Sequence, residues 1–108
     1  MPVKLPPHPA VAELQLVRVL SAIGDPIRLT IVQTLAGSGE RAWSDLDVPI
    51  AQSTLSHHLK VLRTAGVIQS RTEGTRCFVS LRKRDLNRRF PGLLKAVLQG
   101  GNCGFADC

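Results

Sequence analysis

The segment Gln52–Gly66, QSTLSHHLKVLRTAG, decides the fold because it combines a leucine stripe with a polar face. Leu55, Leu59 and Leu62 recur at steps of four and three residues, the spacing that places side chains on one face of an α-helix. The opposite side carries hydroxyl, amide and basic groups, and Gly66 is a typical helix stop. The segment therefore predicts an amphipathic helix whose polar face is free to contact a partner.

Three shorter helices are predicted before this one. The segment Ala10–Ile23 is apolar over so broad a surface that we expect it to pack against both the core and a partner subunit. Asp25 followed by Pro26 is a strong helix start, and we expect this second helix to end at Gly37. A brief third helix is predicted over Trp43–Leu46.

The residues after Gly66 change from helical to strand periodicity. Val67–Thr72 and Arg76–Leu81 predict two strands joined by a turn at Glu73–Thr75. A last helix follows over 82–99, in which Pro91 either introduces a kink or begins a fresh turn. The fold class predicted by this order is mostly α with a small β-hairpin wing, which is a winged helix-turn-helix.

The composition of the 108 residues, 44% hydrophobic and 20% charged, is typical of one folded domain. We expect a proline-rich extended arm over 1–9, the winged domain over 10–99, and a flexible, glycine-rich, cysteine-containing tail over 100–108. The opening residues MPVKLPPHPA lack the apolar core of a signal peptide, and no apolar run approaches the roughly 20 residues of a membrane span. A cytosolic location without membrane contact is expected.

Positive charge is concentrated in one part of the chain. Residues 57–90 hold nine basic and two acidic side chains, a net charge of +7, whereas the whole chain carries +6. Such a segment predicts a polyanionic partner, nucleic acid first, because each contacted phosphate releases counterions. An α-helix fits the major groove of double-stranded DNA, and a basic hairpin can reach the adjacent backbone or minor groove. The candidate DNA-binding residues are Gln52, Ser53, Thr54, Ser56, His57, Lys60, Arg63, Arg71, Thr75 and Arg76.

His57 and His58 are neighbours in sequence but are predicted not to act as a pair. Successive residues of an α-helix point about 100° apart. We expect His57 to face outward with Ser53 and Ser56, and His58 to lie at the flank of the leucine stripe in a hydrogen-bonded packing role.

Three motifs carry a resemblance to a known family. The stretches GDPIRLTIVQTL (24–35) and QSTLSHHLKVLRTAGVIQSRTEGTRCFVSL (52–81) resemble the ArsR/SmtB family of bacterial transcriptional repressors. That family shares a D-P-x-R-L stretch, an S-T-x-S-H-H-L-x-x-L-x-x-A-G recognition helix and an R-x-x-G wing. The resemblance implies a homodimer built from the first and last helices. Such a dimer binds an inverted repeat in a double-stranded DNA operator and is released by an inducer.

The chain departs from the family at its inducer sites. The family's thiolate motif E-L-C-V-C-D-L corresponds to ERAWSDL (40–46), with Ala42 and Ser44 at the cysteine positions, so a soft-metal site is not expected there. The last helix has no histidine, so a zinc site is not expected there. The segment before Ser56 is about two residues shorter than usual, and Ala51 stands where a capping serine is frequent, so an altered turn is expected.

The remaining residues leave alternative functions open. Cys77, Cys103 and Cys108 are candidates for a thiolate-bound metalloid or a redox disulfide, and the alternative interpretation is that they are free thiols. His8 is expected to be exposed to solvent and not a metal ligand. No catalytic residues are predicted, because no nucleophile elbow or oxyanion loop accompanies the serines and histidines. A winged-helix protein-interaction module without DNA is a further alternative.

Overall fold

A computed structural model describes residues 8–46 and 48–101. Five helices and three short strands make up this part of the chain. The helices are α1 Leu16–Ile23, α2 Pro26–Ser38, α3 Gln52–Ala65, α4 Lys83–Arg89 and α5 Leu93–Gly101. The strands are β1 Arg41–Ala42, β2 Ile68–Glu73 and β3 Arg76–Leu81, and single 3-10 turns occur at Val11–Glu13 and Trp43–Asp45.

The strands form an antiparallel sheet in the order β1-β3-β2. β2 and β3 are the predicted hairpin, paired from Ile68 opposite Leu81 to Glu73 opposite Arg76. The third strand was not predicted, because two residues are too few to show an alternating pattern. The predicted class is confirmed: the fold is mostly helical with a small hairpin wing.

The prediction for the first helix was wrong in its N-terminal half. Instead of a continuous helix over Ala10–Ile23, the 3-10 turn is followed by extended backbone at Leu14 and Gln15, and α1 begins only at Leu16. The break turns Leu14 into the core, where 1% of its surface is exposed. The carbonyl of Leu14 also accepts a hydrogen bond from Arg89 Nε at 3.2 Å, so a distant residue favours the non-helical backbone.

The end of α2 also differs from the prediction. Gly37 is helical, and the helix stops at Gly39, whose φ of 76° favours glycine. The start of α2 is as predicted, with the Asp25 carboxylate accepting hydrogen bonds from the backbone N–H groups of Ile27 at 3.0 Å and Arg28 at 3.1 Å. These hydrogen bonds lower the pKa of Asp25, and the bond from the backbone N–H of Arg28 makes the largest contribution.

Pro91 begins a fresh turn, which settles the alternative left open for the last helix. α4 ends at Arg89, Gly92 takes a φ of 86°, and α5 starts at Leu93. The two helices each bury a leucine, Leu86 and Leu94, in the common core.

One hydrophobic core connects the helices with the wing. Its members come from α1 to α5, from β2 and β3, and from the segments that connect them. The most fully buried are Leu14, Val19, Ile31, Val32, Leu35, Leu62, Val67, Ile68, Val79 and Leu86. α3 and the hairpin are therefore held by the same packing. None of the helices in residues 8–46 and 48–101 has the length and apolar character needed to cross a membrane.

Candidate nucleic-acid interface

α3 presents its polar face to solvent because its leucines are fixed in the core. Leu55, Leu59 and Leu62 are at most 4% exposed. The predicted contact residues on the other side are all exposed, namely Gln52, Ser53, Thr54, Ser56, His57 and Lys60. This is the arrangement that a groove-reading helix requires.

Arg63 differs from the other candidates on α3. It is half-buried and lies seven residues beyond Ser56, about two helical turns. Its charge contributes to the lowered pKa of His8 and opposes part of the rise that burial causes in the pKa of Cys77, which places the guanidinium near the arm and the wing. Arg63 therefore stands apart from the exposed residues at the start of α3.

The N-terminus of α3 has no side-chain cap. Ala51 is the N-cap residue and takes an extended backbone conformation with φ −66° and ψ 153°. Since alanine offers no acceptor, the side chain of the cap does not satisfy the first N–H groups of α3. Groups of this kind are suited to donate to a DNA phosphate.

The two adjacent histidines occupy different environments, as predicted. The His58 side chain is 13% exposed, and its Nδ1 lies 3.0 Å from Arg28 Nη1 and 3.9 Å from Asp25 Oδ2. Because a guanidinium can only donate, Nδ1 of His58 is the acceptor in this bond. Arg28 also donates through Nε to the carbonyl of Ala22. His58 thus ties the middle of α3 to the start of α2, while His57 stays exposed.

Replacing each histidine by alanine should separate these roles. His58→Ala should lower the free energy of unfolding by about 1–2 kcal/mol, because it leaves an Arg28 donor unpaired in a half-buried place. His57→Ala should change it by less than about 0.5 kcal/mol, as exposed substitutions usually do. Urea unfolding followed by circular dichroism measures both. Equal decreases in the free energy of unfolding of the two variants would contradict the assignment of a packing role to His58 alone.

The wing carries its basic groups around one aromatic ring. The guanidinium of Arg71 lies 4.5 Å from the centre of the Phe78 ring and that of Arg76 lies 5.2 Å from it. The turn between the strands holds Gly74, with φ 63°, and the exposed Thr75. Within the described residues Arg76 forms no ion pair, so its charge is available to a phosphate.

Arg71 is already paired with two carboxylates, which the sequence did not reveal. Its Nη2 and Nε donate to the two oxygens of Glu40 at 2.6 and 2.7 Å, and its Nη1 donates to Glu73 at 3.0 Å. These bonds raise the pKa of Arg71 and lower that of Glu40. Glu40 precedes β1, so the bridge braces the wing against the end of α2.

Comparison with known proteins identifies the family. A family model described as "Bacterial regulatory protein, arsR family" matches residues 25–70. The arsenical resistance operon repressor of Bacillus subtilis is 35% identical over 79 residues, which are 71% of this chain and 71% of that protein. The chain belongs to the ArsR family of bacterial transcriptional regulators.

Further matches agree with this assignment. An uncharacterized HTH-type transcriptional regulator of Methanocaldococcus jannaschii is 39% identical over 59 residues, which are 53% of this chain and 66% of that protein. The crystal structure of the transcriptional repressor BigR from Xylella fastidiosa superimposes with a TM-score of 0.65 and 26% identity, over 85% of this chain and 88% of that one. These proteins are transcriptional regulators, not enzymes.

In this ArsR-family regulator the thiol prediction stays a prediction, and Cys77 is the one of its three cysteines that lies in the described residues. Cys77 is half-buried on β3 opposite Thr72, and burial raises the pKa of its thiol. A protonated thiol is a poor metal ligand at neutral pH. In residues 8–46 and 48–101, no three His, Cys, Asp or Glu side chains are grouped to hold a metal ion. Cys103 and Cys108 lie outside the described residues.

The expectation that His8 is exposed was wrong. His8 is half-buried, and its Nε2 accepts a hydrogen bond from the backbone N–H of Ser70 at 3.0 Å. β2 is an edge strand, so its outward N–H groups need partners from elsewhere. Burial lowers the pKa of His8, and the charges of Arg82 and Arg63 lower it further. This neutral imidazole satisfies one of the N–H groups at the outer edge of the wing.

Proposed function

We propose that this chain is a homodimeric repressor that binds an inverted repeat in a DNA operator through α3 and the wing, and is released by an inducer. The observation that carries the proposal is the polar face of α3, exposed from Gln52 to Lys60 while the leucines opposite are buried. Its side chains offer the donors and acceptors that read base edges. Thr75 and Arg76 at the wing tip supply backbone contacts.

The exposed apolar residues of α1 support a dimer. Leu16, Val17 and Leu20 are 44%, 78% and 45% exposed, and they lie within one and a half turns of each other. A surface of this kind is typical of a subunit interface. Leu93, Val97 and Leu98 of α5 are half-buried and extend the candidate surface. A two-fold axis there would set two α3 helices against half-sites about one helical turn of DNA apart.

The decisive experiment is a binding titration with the DNA upstream of the protein's own gene. We expect selective binding over random DNA of the same length, with an affinity that falls steeply as salt rises. The stoichiometry should be two chains per operator. A protein that binds this DNA no more tightly than random DNA would refute the proposal.

The pairing of Arg71 leads to a prediction for Glu40→Gln. In the protein without DNA, the Glu40 carboxylate accepts hydrogen bonds from the Arg71 guanidinium. A DNA phosphate would have to displace this carboxylate to contact Arg71. Neutralisation of Glu40 should raise the affinity for random DNA about threefold to tenfold, and should steepen the salt dependence by about one phosphate contact per subunit. Fluorescence anisotropy at several salt concentrations measures both quantities.

Asp45→Asn is the matched control for this change. Asp45 is exposed and its carboxylate does not contact Arg71, yet the substitution removes the same charge. We expect the salt dependence of its affinity for random DNA to match that of the unmodified protein. If Glu40→Gln instead weakened DNA binding, Glu40 would be needed to hold the wing in its binding position and would not be a competitor.

A further inference from the structure

A groove of about 470 Å³ separates α1 from α3, beside the polar face of the recognition helix. The two helices leave this space because small residues meet between them: Ala22 and Ala65 are 2% and 9% exposed. Val61 is half-buried in the groove, and Val17 of α1 stands at its rim with 78% of its surface exposed. The groove therefore has a largely apolar lining and a volume in the range of small-molecule sites.

The charged side chains that line this groove are all of one sign. Arg18 of α1 and Lys60 of α3 both line it, and so does His57, which precedes Lys60 by about one helical turn. None of the residues lining it is acidic. Among the described residues, neither Arg18 nor Lys60 forms an ion pair. Two cations therefore border an apolar surface with no anion of this part of the chain to match them.

We infer that this groove binds a small amphipathic carboxylate, an organic anion with a compact apolar body. The carboxylate is held by Arg18 and Lys60 through charge-assisted hydrogen bonds. The apolar body packs on the half-buried Val61, above the already buried Ala22 and Ala65, and removal of the remaining Val61 surface from water favours binding. Neither half of the site suffices alone, because an exposed ion pair contributes little and an uncharged body leaves both cations unmatched.

Occupation of the groove has a consequence for DNA. His57 and Lys60 line the groove and also belong to the exposed face of α3. A carboxylate on Lys60 neutralises a charge that would otherwise meet a phosphate, so the ligand and DNA compete. This consequence rests on the proposed function, whereas binding of the carboxylate itself does not.

The first test measures binding to the full chain without DNA, by isothermal titration calorimetry. The probes are octanoate, octanol and acetate, which separate the charge from the apolar body. Octanoate should bind at least about tenfold more tightly than either of the others. Octanol binding as tightly as octanoate, or no binding of octanoate, would overturn the inference.

Variants locate the site. Ser21→Phe fills the groove from the exposed side of α1 and should weaken octanoate binding at least about tenfold, and Arg18→Gln should weaken it about fivefold. Arg84→Gln removes an exposed charge from α4, outside the groove, and should leave binding unchanged. If Ser21→Phe lowers the melting temperature, Thr64→Phe fills the groove from α3 instead. Unaltered octanoate binding in a folded groove-filled variant would overturn the site.

Two further measurements distinguish a ligand site from a subunit contact and link the site to DNA. Light scattering reports whether Ser21→Phe keeps the oligomeric state of the unmodified chain. Its dissociation would mean that a second copy fills the groove, which would overturn the inference. Octanoate should release operator DNA from the unmodified chain and not from Ser21→Phe. If the chain bound no DNA selectively, the proposed function would fail, while the calorimetric result would still decide the ligand site.

Discussion

Gly66→Ala should lower the free energy of unfolding by about 2–5 kcal/mol, enough to unfold a marginally stable domain. Gly66 ends α3 in the left-handed region with φ 88° and ψ 14°, where an L-residue with a side chain costs about 1–2 kcal/mol. An added Cβ would also lie far inside contact distance of Leu14 Cδ2. Leu14 is itself buried, so its side chain has little room to move away. Overpacking of this kind adds about 1–3 kcal/mol.

Gly37→Ala provides the matched control. Gly37 is helical, and apart from its chain neighbours and its own helical turns a Cβ there would meet no described atom within 4 Å. Alanine in a helix interior should therefore stabilise the protein by about 0.5–1 kcal/mol. Chemical denaturation of both variants tests the pair. A small effect of Gly66→Ala would mean that the junction between α3 and the wing is looser than its hydrogen bonds from Gly66 and Val67 indicate.

Ser56→Ala or His57→Ala should weaken binding to the operator by about 1–3 kcal/mol, with little change for random DNA. Both residues are exposed on α3, where they would contact base edges. Arg76→Ala should weaken binding to both kinds of DNA by a similar factor and flatten the salt dependence by about one phosphate contact per subunit. Anisotropy titrations with operator and random duplexes at several salt concentrations distinguish the two patterns.

Thr64→Ala controls for general effects on α3. Thr64 is exposed on the same helix but lies eight residues beyond Ser56, at its C-terminal end. We expect its binding to both DNAs to match that of the unmodified chain. If Ser56→Ala and Arg76→Ala reduced operator and random binding alike, the division into base-reading and phosphate-binding residues would be wrong. Arg76 is preferred to Arg71 for this test because Arg71 is already bridged to Glu40.

α3 and the hairpin could be predicted because their signals are local. The leucine spacing in Gln52–Gly66 fixes which face of α3 is buried, and therefore which side chains remain exposed. His57 and His58 were separated by the same reasoning, since one helical step turns the side chain about 100°. The cap at Asp25 was also readable from the chain, because its hydrogen bonds reach only two and three residues ahead.

The errors lie where distant contacts decide the backbone. A continuous first helix was the better choice by periodicity, but Leu14 gains burial and an Arg89 hydrogen bond by leaving the helix. β1 has only two residues and exists through its pairing with β3. His8 lies 62 residues from Ser70, whose N–H it accepts at the free edge of β2. No local pattern contains these partners.

The sequence by itself determined the helical order, the face of α3 that is exposed and the basic character of the wing, because periodicity, turn residues and charge act over a few neighbouring positions. Only the tertiary structure decided which basic side chains are paired with carboxylates and which are not. It pairs Arg71 with Glu40 across 31 residues and leaves Lys60 beside Arg18 at an apolar groove. The physical reason is that a charge's partners are set by which elements pack together, and packing joins residues that the chain keeps far apart.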